Sequence, residues 1–261
     1  MSRITLGQYY PANTLLHRLD PRVKLLAVVV FVTTLLFVSQ WLGLAIAAVG
    51  LSLTIYFSRV PLGFLFRGLR MIFFVVGFAM LLNIFLTPGE NVLFSIGFIH
   101  ITTEGIYRAF LMASRLVLLV VGSSLLTLTT SPIKLTDGIE ALLRPTPLPA
   151  HDIAIMMTIA LRMIPTLAEE TDKIMKAQKA RGADFGGGPI KRVRAFLPIM
   201  VPLFVSAFKR ADELATAMEA RCYRGGEGRT KLSPLRMQPT DWAVLVIAVV
   251  FCAGLLLTRF V

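Results

Sequence analysis

The chain has 261 residues, of which 56% are hydrophobic and only 16% are charged, and its mean hydropathy is +0.73. Soluble domains carry about 25% charged residues, so this composition excludes an ordinary soluble enzyme or binding domain and predicts an integral membrane protein. The two cysteines, Cys222 and Cys252, stand alone in unlike surroundings, one basic and one apolar, so no disulfide framework is expected.

Uncharged segments predict the membrane-spanning helices. No charge occurs between Leu25 and Ser58, and one helix of that length would reach ~50 Å, whereas the hydrocarbon core is ~30 Å thick. A turn at 39–41 is therefore expected to divide this stretch into two spans. Further spans are predicted at about 71–86, 105–130 and 242–257. The predicted fold class is an all-α membrane protein with about five transmembrane helices.

The segment VLFSIGFIHIT, between the third and fourth spans, is too short to cross a membrane. Its alternation of polar and apolar residues around Gly97 predicts a small β-hairpin. His100 stands alone in this segment, and a metal site needs several ligands at suitable spacing. Neither a metal site nor a cofactor bound by this chain is expected.

Basic residues in the short loops predict the orientation. They precede the first span and separate the second from the third, whereas the loop after the third span carries acidic residues instead. The basic residues are Arg3, Arg18, Arg22, Lys24, Arg59, Arg67 and Arg70, and the acidic ones are Glu90 and Glu104. The N-terminus and the segment 131–240 should therefore lie in the cytoplasm and the C-terminus outside. The predicted organisation is a four-helix membrane part at 1–130, a cytoplasmic helical region at 131–240 and a last transmembrane helix at 241–261.

Three helices are predicted in the cytoplasmic region. Ser131 as N-cap and Pro132 at the first helical position begin a short helix that ends at the prolines of 145–149. A long helix from about 151 to 182 is apolar at first (IAIMMTIAL) and then rich in charge. A second long helix, from about 190 to 224, repeats this plan, with FLPIMVPLFVSAF followed by KRADELATAMEAR.

The two long helices are a local repeat with an offset of 40 residues. The aligned pairs are Asp172 with Asp212, Ala177 with Ala217, Ala180 with Ala220, Arg181 with Arg221, and Gly186 with Gly226. Alanines at helical spacing, namely Ala177, Ala180, Ala211, Ala215, Ala217 and Ala220, predict a close crossing of the two helices. The crossed pair is expected to lie along the inner membrane surface. A basic residue followed by glycine is also an ordinary helix ending, and this interpretation stays open.

Four segments carry a resemblance to a known family: LLHRLDPRVKLL, TTSPIKLTDGIEALLRP, ALRMIPTLAEETDKIMKAQKARGADF and FKRADELATAMEARCYRGGEGRT. Together they resemble the transmembrane T component of energy-coupling-factor (ECF) transporters, which are ABC-type vitamin importers of prokaryotic plasma membranes. The resemblance implies that two Ala-Arg-Gly motifs end coupling helices and that each motif docks in one of two ABC ATPase subunits. The docking residues would be Ala180, Arg181, Gly182, Ala220 and Arg221, and Cys222 stands where the family pattern has glycine.

The resemblance also implies a third partner, a small membrane protein called the S component, which captures a vitamin or metal ion. The apolar first halves of the coupling helices are candidates for contact with it, and Met156, Met157, Met200 and Pro202 are the candidate residues. Burial of these residues against the spans is the alternative. The glycine-rich segment GADFGGG lacks the Gly-Lys-Ser/Thr ending of a phosphate loop. ATP and Mg²⁺ are therefore expected in the partner ATPases, and this chain is expected not to be an enzyme.

Other functional classes fit less well. The predicted spans contain no acidic residue, whereas a proton-coupled carrier normally places ionisable groups inside the membrane. An intramembrane enzyme would need paired aspartates or metal ligands, which the spans lack. The remaining alternative is a membrane scaffold whose basic face recruits proteins or anionic lipid, since the net charge is +12; no nucleic-acid partner is expected. Arg115, inside the fourth span, is predicted either to bind a helix carbonyl or to contact the S component.

Overall fold

A computed structural model of the chain describes residues 9–87, 92–96, 99–183, 186, 188–226 and 235–258. The chain divides into two compact units. One consists of Gly7–Gly138 together with Leu235–Val261, and is called the membrane unit. The other contains Ile139–Pro234, and is called the coupling unit.

Helices account for nearly all of the described chain. They are α1 (Leu15–Arg18), α2 (Pro21–Phe37), α3 (Trp41–Ser58), α4 (Leu62–Leu86), α5 (Thr103–Thr129), α6 (Pro132–Leu143), α7 (Ala150–Ala180), α8 (Pro189–Ala220) and α9 (Pro239–Leu257). Strands β1 (Val92–Ile96) and β2 (Ile99–Thr102) pair antiparallel, with a register shift between Val92 and Phe94. The predicted hairpin and the all-α fold class are thus confirmed.

Local sequence signals explain where several helices begin. Asp20 caps α2, its carboxylate accepting the N–H of Arg22 at 2.9 Å, and Pro21 occupies the first helical position. The hydroxyl of Thr102 caps α5 by accepting the N–H of Gly105 at 3.0 Å. The break between α2 and α3 falls at the predicted turn, because Phe37 ends one helix and Trp41 begins the next.

The start of α4 differs from the sequence prediction. The helix begins at Leu62, directly after Pro61, whereas the span was predicted to begin near 71. Arg67 and Arg70 therefore belong to the helix rather than to a loop. The apolar stretch of this helix is Ile72–Leu86, which agrees with the predicted span at about 71–86. The helix itself begins earlier because arginine is a good helix former, although it is too polar to extend the span.

Within the described residues, four helices are long and apolar enough to cross a membrane: α3, α5, α7 and α9. The apolar stretch Ile72–Leu86 of α4 is shorter, and α2 has 17 residues. Three of the four qualifying helices are predicted spans, and α7 was predicted as a coupling helix with an apolar first half. Large apolar side chains such as Phe74, Phe78 and Val250 are exposed, as expected of lipid-facing surfaces.

The core of the membrane unit joins α2, α3, α5 and α9. The buried members of this cluster are Leu35, Val38, Leu44, Ala47, Leu111 and Leu255, and a second cluster brings in α4 through Leu65. Glycines allow close approach here, because a Cβ at Gly50 would collide with the ring of Phe251 and one at Gly122 would lie 2.8 Å from the ring of Phe31. Such close packing stabilises helix association in a membrane, where lipid is as apolar as the side chains and a hydrophobic driving force between helices is lacking.

Polar groups join three helix ends of the membrane unit. The ammonium of Lys24, which precedes the first predicted span, donates to the carbonyl of Thr129 at the end of α5 at 3.1 Å. Burial, with repulsion from Lys134, lowers the pKa of Lys24 to about 8. Asp241, in the first turn of α9, accepts the backbone N–H of Asp20 at 3.0 Å. The ends of α2, α5 and α9 are therefore held by hydrogen bonds as well as by apolar packing.

Arg115 has a structural partner. Its guanidinium donates to the backbone carbonyl of Val38, the residue that caps the C-terminus of α2. A cation at the end of a helix binds a carbonyl left unpaired by the helix and interacts favourably with the helix dipole. The prediction that Arg115 binds a helix carbonyl is confirmed.

Candidate functional site: the paired tips of α7 and α8

The two long helices of the coupling unit are joined by an ion pair. Arg210 Nη2 of α8 donates to Glu170 Oε2 of α7 at 2.6 Å, and the hydroxyl of Ser206 donates to the other carboxylate oxygen. The hydrogen bond from Ser206 and then the Arg210 guanidinium hold the pKa of Glu170 below its ordinary value. The carboxylate is therefore charged at neutral pH, and the contact is a charge-assisted one.

Glu170 and Arg210 are equivalent positions of the repeat, since they are 40 residues apart in the sequence. Contact between equivalent residues means that the two copies cross at the same position of the repeat. Arg181 and Arg221 each follow their contact residue by the same number of positions, which corresponds to ~16 Å along a helix. The segment from the crossing to the arginine, here called the arm, therefore has the same length in both helices.

An apolar cleft of about 250 Å³ lies beside this ion pair. The lining residues are Ile159, Met163 and Leu167 from α7 and Ala207, Arg210, Ala211, Leu214, Ala215 and Met218 from α8. Ala211 and Ala215 therefore lie where the helices meet, as predicted. Both are nevertheless exposed, as are Ala177, Ala180, Ala217 and Ala220. The latter four follow the ion-pair residues by seven or ten positions and lie toward the helix ends, so the prediction that they lie at the crossing was wrong.

Both helices end in the same backbone motif. After α7, the N–H of Gly182 donates to the carbonyl of Lys179 at 3.0 Å and that of Ala183 to Gln178 at 2.9 Å. After α8, the N–H of Cys222 donates to Glu219 at 2.8 Å and that of Tyr223 to Met218 at 3.0 Å. These paired bonds define the Schellman motif, in which the residue after the cap takes a left-handed conformation.

The left-handed position is filled by Gly182 (φ 86°) in the first motif and by Cys222 (φ 56°) in the second. The departure from glycine at Cys222 therefore leaves the cap geometry intact. Because of this cap motif, α8 ends at Ala220, with Arg221 as its cap, rather than near 224 as predicted. The side chains alone suggested a longer helix because the cap lacks the glycine that usually marks such an end.

Arg181 and Arg221 occupy the C-cap positions, and both are exposed. Nothing in the described part of the chain pairs with either guanidinium. Ala180 and Ala220, directly before them, are also exposed and leave room for close approach. Each helix therefore presents a planar group of hydrogen-bond donors at its end, suited to carboxylates or backbone carbonyls of another molecule.

The other candidate residues lie on the apolar halves of the two helices. Met156, Met200 and Pro202 are exposed, and Met157 is half-buried. They accompany further exposed apolar side chains of α8: Val193, Leu197, Val201, Phe204, Val205 and Phe208. An apolar surface of this extent is typical of contact with lipid or with another membrane protein.

One cluster of the coupling unit was not predicted from the sequence. His151 Nε2 lies 3.2 Å from the hydroxyl of Tyr223, two residues after Arg221, and its Nδ1 lies 3.8 Å from the carboxylate of Glu140. Arg144 donates to the same Glu140 oxygen at 3.4 Å. The sequence spacing of these residues does not reveal the cluster, because they meet only where the segment after α8 folds back to the start of α7.

The cap motifs predict opposite effects of two substitutions. A left-handed residue other than glycine costs about 1 kcal/mol, which changes the opening equilibrium of a cap about fivefold. Gly182→Ala should therefore speed hydrogen exchange of the amides of 182 and 183, whereas Cys222→Gly should slow exchange at 222 and 223. Mass spectrometry of the exchanged protein measures both. Cys222→Ser, which keeps the Cβ, is the matched control, and equal exchange in Cys222→Gly and Cys222→Ser would contradict the assignment.

Comparisons with known proteins agree with this architecture. Residues 12–232 match the family model described as "Cobalt transport protein". Proteins called "Energy-coupling factor transporter transmembrane protein EcfT" are similar over almost their whole length. The chain is 49% identical to that of Thermosediminibacter oceani, covering 100% of both chains, and 50% identical to that of Ruminiclostridium cellulolyticum, covering 99% of this chain and 98% of the relative. It is 47% identical to that of Bacillus subtilis, covering 99% of both. Similarity of this extent shows that the chain belongs to the EcfT family, the transmembrane components of energy-coupling factor transporters.

Proposed function

We propose that this chain transmits ATP-driven movement of two ABC ATPase subunits to a substrate-binding S component, and thereby drives uptake of a vitamin or other micronutrient. The observation that supports this most directly is the pair of matched tips, Arg181 and Arg221, on two helices that cross at Glu170 and Arg210. Two equal arms with the same ending suit two similar partners. A scaffold that recruits one protein or a lipid surface would not require the duplication.

The docking residues in this proposal are Ala180, Arg181, Gly182, Ala220 and Arg221. Each arginine enters an acidic or carbonyl-lined groove of one ATPase, where its fork of donors forms several hydrogen bonds at once. ATP and Mg²⁺ bind in the ATPases, and this chain has no catalytic residue. When the ATPases close on ATP, both arms are displaced, and the crossing at Glu170 and Arg210 carries this movement into the apolar halves of α7 and α8.

The apolar halves form the surface for the S component in this proposal. Met156, Met157, Met200 and Pro202 belong to it, and the flexible thioether side chains allow a partner to shift while contact is kept. The coupling unit and the N-terminus face the cytoplasm and the C-terminus faces outward, across the plasma membrane of a prokaryote.

The first test of this function reverses the charge of both tips. In a transporter co-expressed with its ATPases and S component, the double change Arg181→Glu and Arg221→Glu should abolish ATPase co-purification and substrate uptake. Removing one partner of a buried charge-assisted contact costs ~2 to 5 kcal/mol, so each single change should weaken binding at least tenfold. Lys176→Glu, an exposed charge on the same helix as Arg181, is the control and should change little. Normal assembly and uptake by the double variant would refute docking through the tips.

The second test introduces a charge into the apolar surface. Met156→Asp and Met200→Asp should each reduce S-component retention, because an apolar contact would then bury an unpaired carboxylate. ATPase binding should be unchanged, since the tips are intact. Thr216→Asp, on the polar half of α8, is the control. The amounts of S component and of ATPases are measured in the same affinity purification. Loss of the ATPases together with the S component would count against the assignment.

A further inference from the structure

The second tip is tied to the start of α7, and the tie consists of Glu140, His151 and Tyr223. Tyr223 takes part in the cap itself, because its N–H donates to the carbonyl of Met218 at 3.0 Å. Its hydroxyl lies 3.2 Å from Nε2 of His151 in the first turn of α7. A displacement of the Tyr223 ring is therefore passed directly to the backbone that holds Arg221.

The other ring nitrogen of His151, Nδ1, faces a buried carboxylate. Nδ1 lies 3.8 Å from Oε1 of Glu140, a carboxylate that is only 5% exposed. In the neutral tautomer that carries its proton on Nδ1, facing the carboxylate, Nε2 accepts the hydrogen bond from the Tyr223 hydroxyl. Arg144, directly after the end of α6, also donates to Glu140 at 3.4 Å.

The chain beyond the tip passes directly over the same ring. A Cβ at Gly226 would lie 2.5 Å from Cγ and 2.6 Å from Cδ2 of His151. Only glycine allows the backbone to approach the imidazole so closely. The segment after Arg221 thus meets His151 at two points, the Tyr223 hydroxyl and the Gly226 backbone.

The first tip has no equivalent side chain for such a tie. Position 183, which corresponds to Tyr223 at the offset of 40 residues, is alanine, and alanine has no polar group. The two tips therefore share their cap geometry but differ in the side chain that comes directly after the cap motif. This difference is present in the sequence as well as in the structure.

We infer that Glu140, His151 and Tyr223 are positioning residues for the second tip, which hold Arg221 in fixed register with the start of α7. This inference rests on the proposed docking of ATPases at the tips and makes the two docking sites inequivalent. The second arm is stiffened by its contact with the start of α7, whereas the first arm has alanine where the second has Tyr223. Loss of the tie should change docking at Arg221 and leave docking at Arg181 unchanged.

Site-specific photo-crosslinking tests this inference with an internal control. A photoreactive residue is placed at 176 or at 216, which are exposed, equivalent positions five residues before each arginine. Crosslinks to the ATPases are then quantified in the full transporter complex. Tyr223→Phe and His151→Ala should each lower the yield from 216 at least threefold and leave the yield from 176 unchanged. His151→Gln, whose amide can still bond to Tyr223, should recover part of the yield.

Tyr56→Phe, which removes an exposed hydroxyl in the membrane unit, is the matched control and should change neither yield. An unchanged yield from 216 in both tie variants would overturn the inference. An equal fall at 176 and 216 would also overturn it, because a general disturbance of the fold would then explain the effect. Absence of ATPase crosslinks from both positions in the unaltered chain would refute the docking itself, and the inference with it.

Discussion

The contact between Glu170 and Arg210 is the interaction on which the coupling unit depends. It joins the same position in two copies of one helical element, so the two helices cross at equivalent points of the repeat. The carboxylate accepts from Ser206 as well as from the guanidinium, and such charge-assisted bonds have defined geometry. Apolar contacts in the adjacent cleft alone would permit the helices to slide, whereas the ion pair specifies one crossing point.

The geometry of both tips depends on that crossing point. Equal arms place Arg181 and Arg221 at equal distances from it, and identical caps give both arginines the same backbone setting. The cap after α8 is kept although Cys222 occupies a position that favours glycine, so the second tip keeps the backbone geometry of the first at a cost of about 1 kcal/mol. The tie from Tyr223 to His151 then distinguishes two tips that are otherwise alike.

Sequence patterns predicted the fold class, the hairpin and the repeat, because each depends on local periodicity or on turn residues. They located the apolar stretch of α4 but not the helical turns before it, and they misplaced the end of α8, where a missing glycine obscured the boundary. They also placed Ala177 and Ala217 at the crossing, since a stripe of small residues does not say which turn of a helix meets its partner. The tie at His151 could not be predicted, because its members come from three separate segments.

We attribute the coupling of the two arms to the ion pair between Glu170 and Arg210 at their crossing. A charge-swap cycle tests this attribution most directly: Glu170→Arg and Arg210→Glu alone place like charges together, whereas the double variant restores an opposite pair. Substrate uptake and ATP hydrolysis by the reconstituted transporter are measured for all four proteins. Each single change should lower uptake per ATP hydrolysed, and the double swap should recover most of it. A double variant as impaired as the worse single variant would contradict the role of the ion pair.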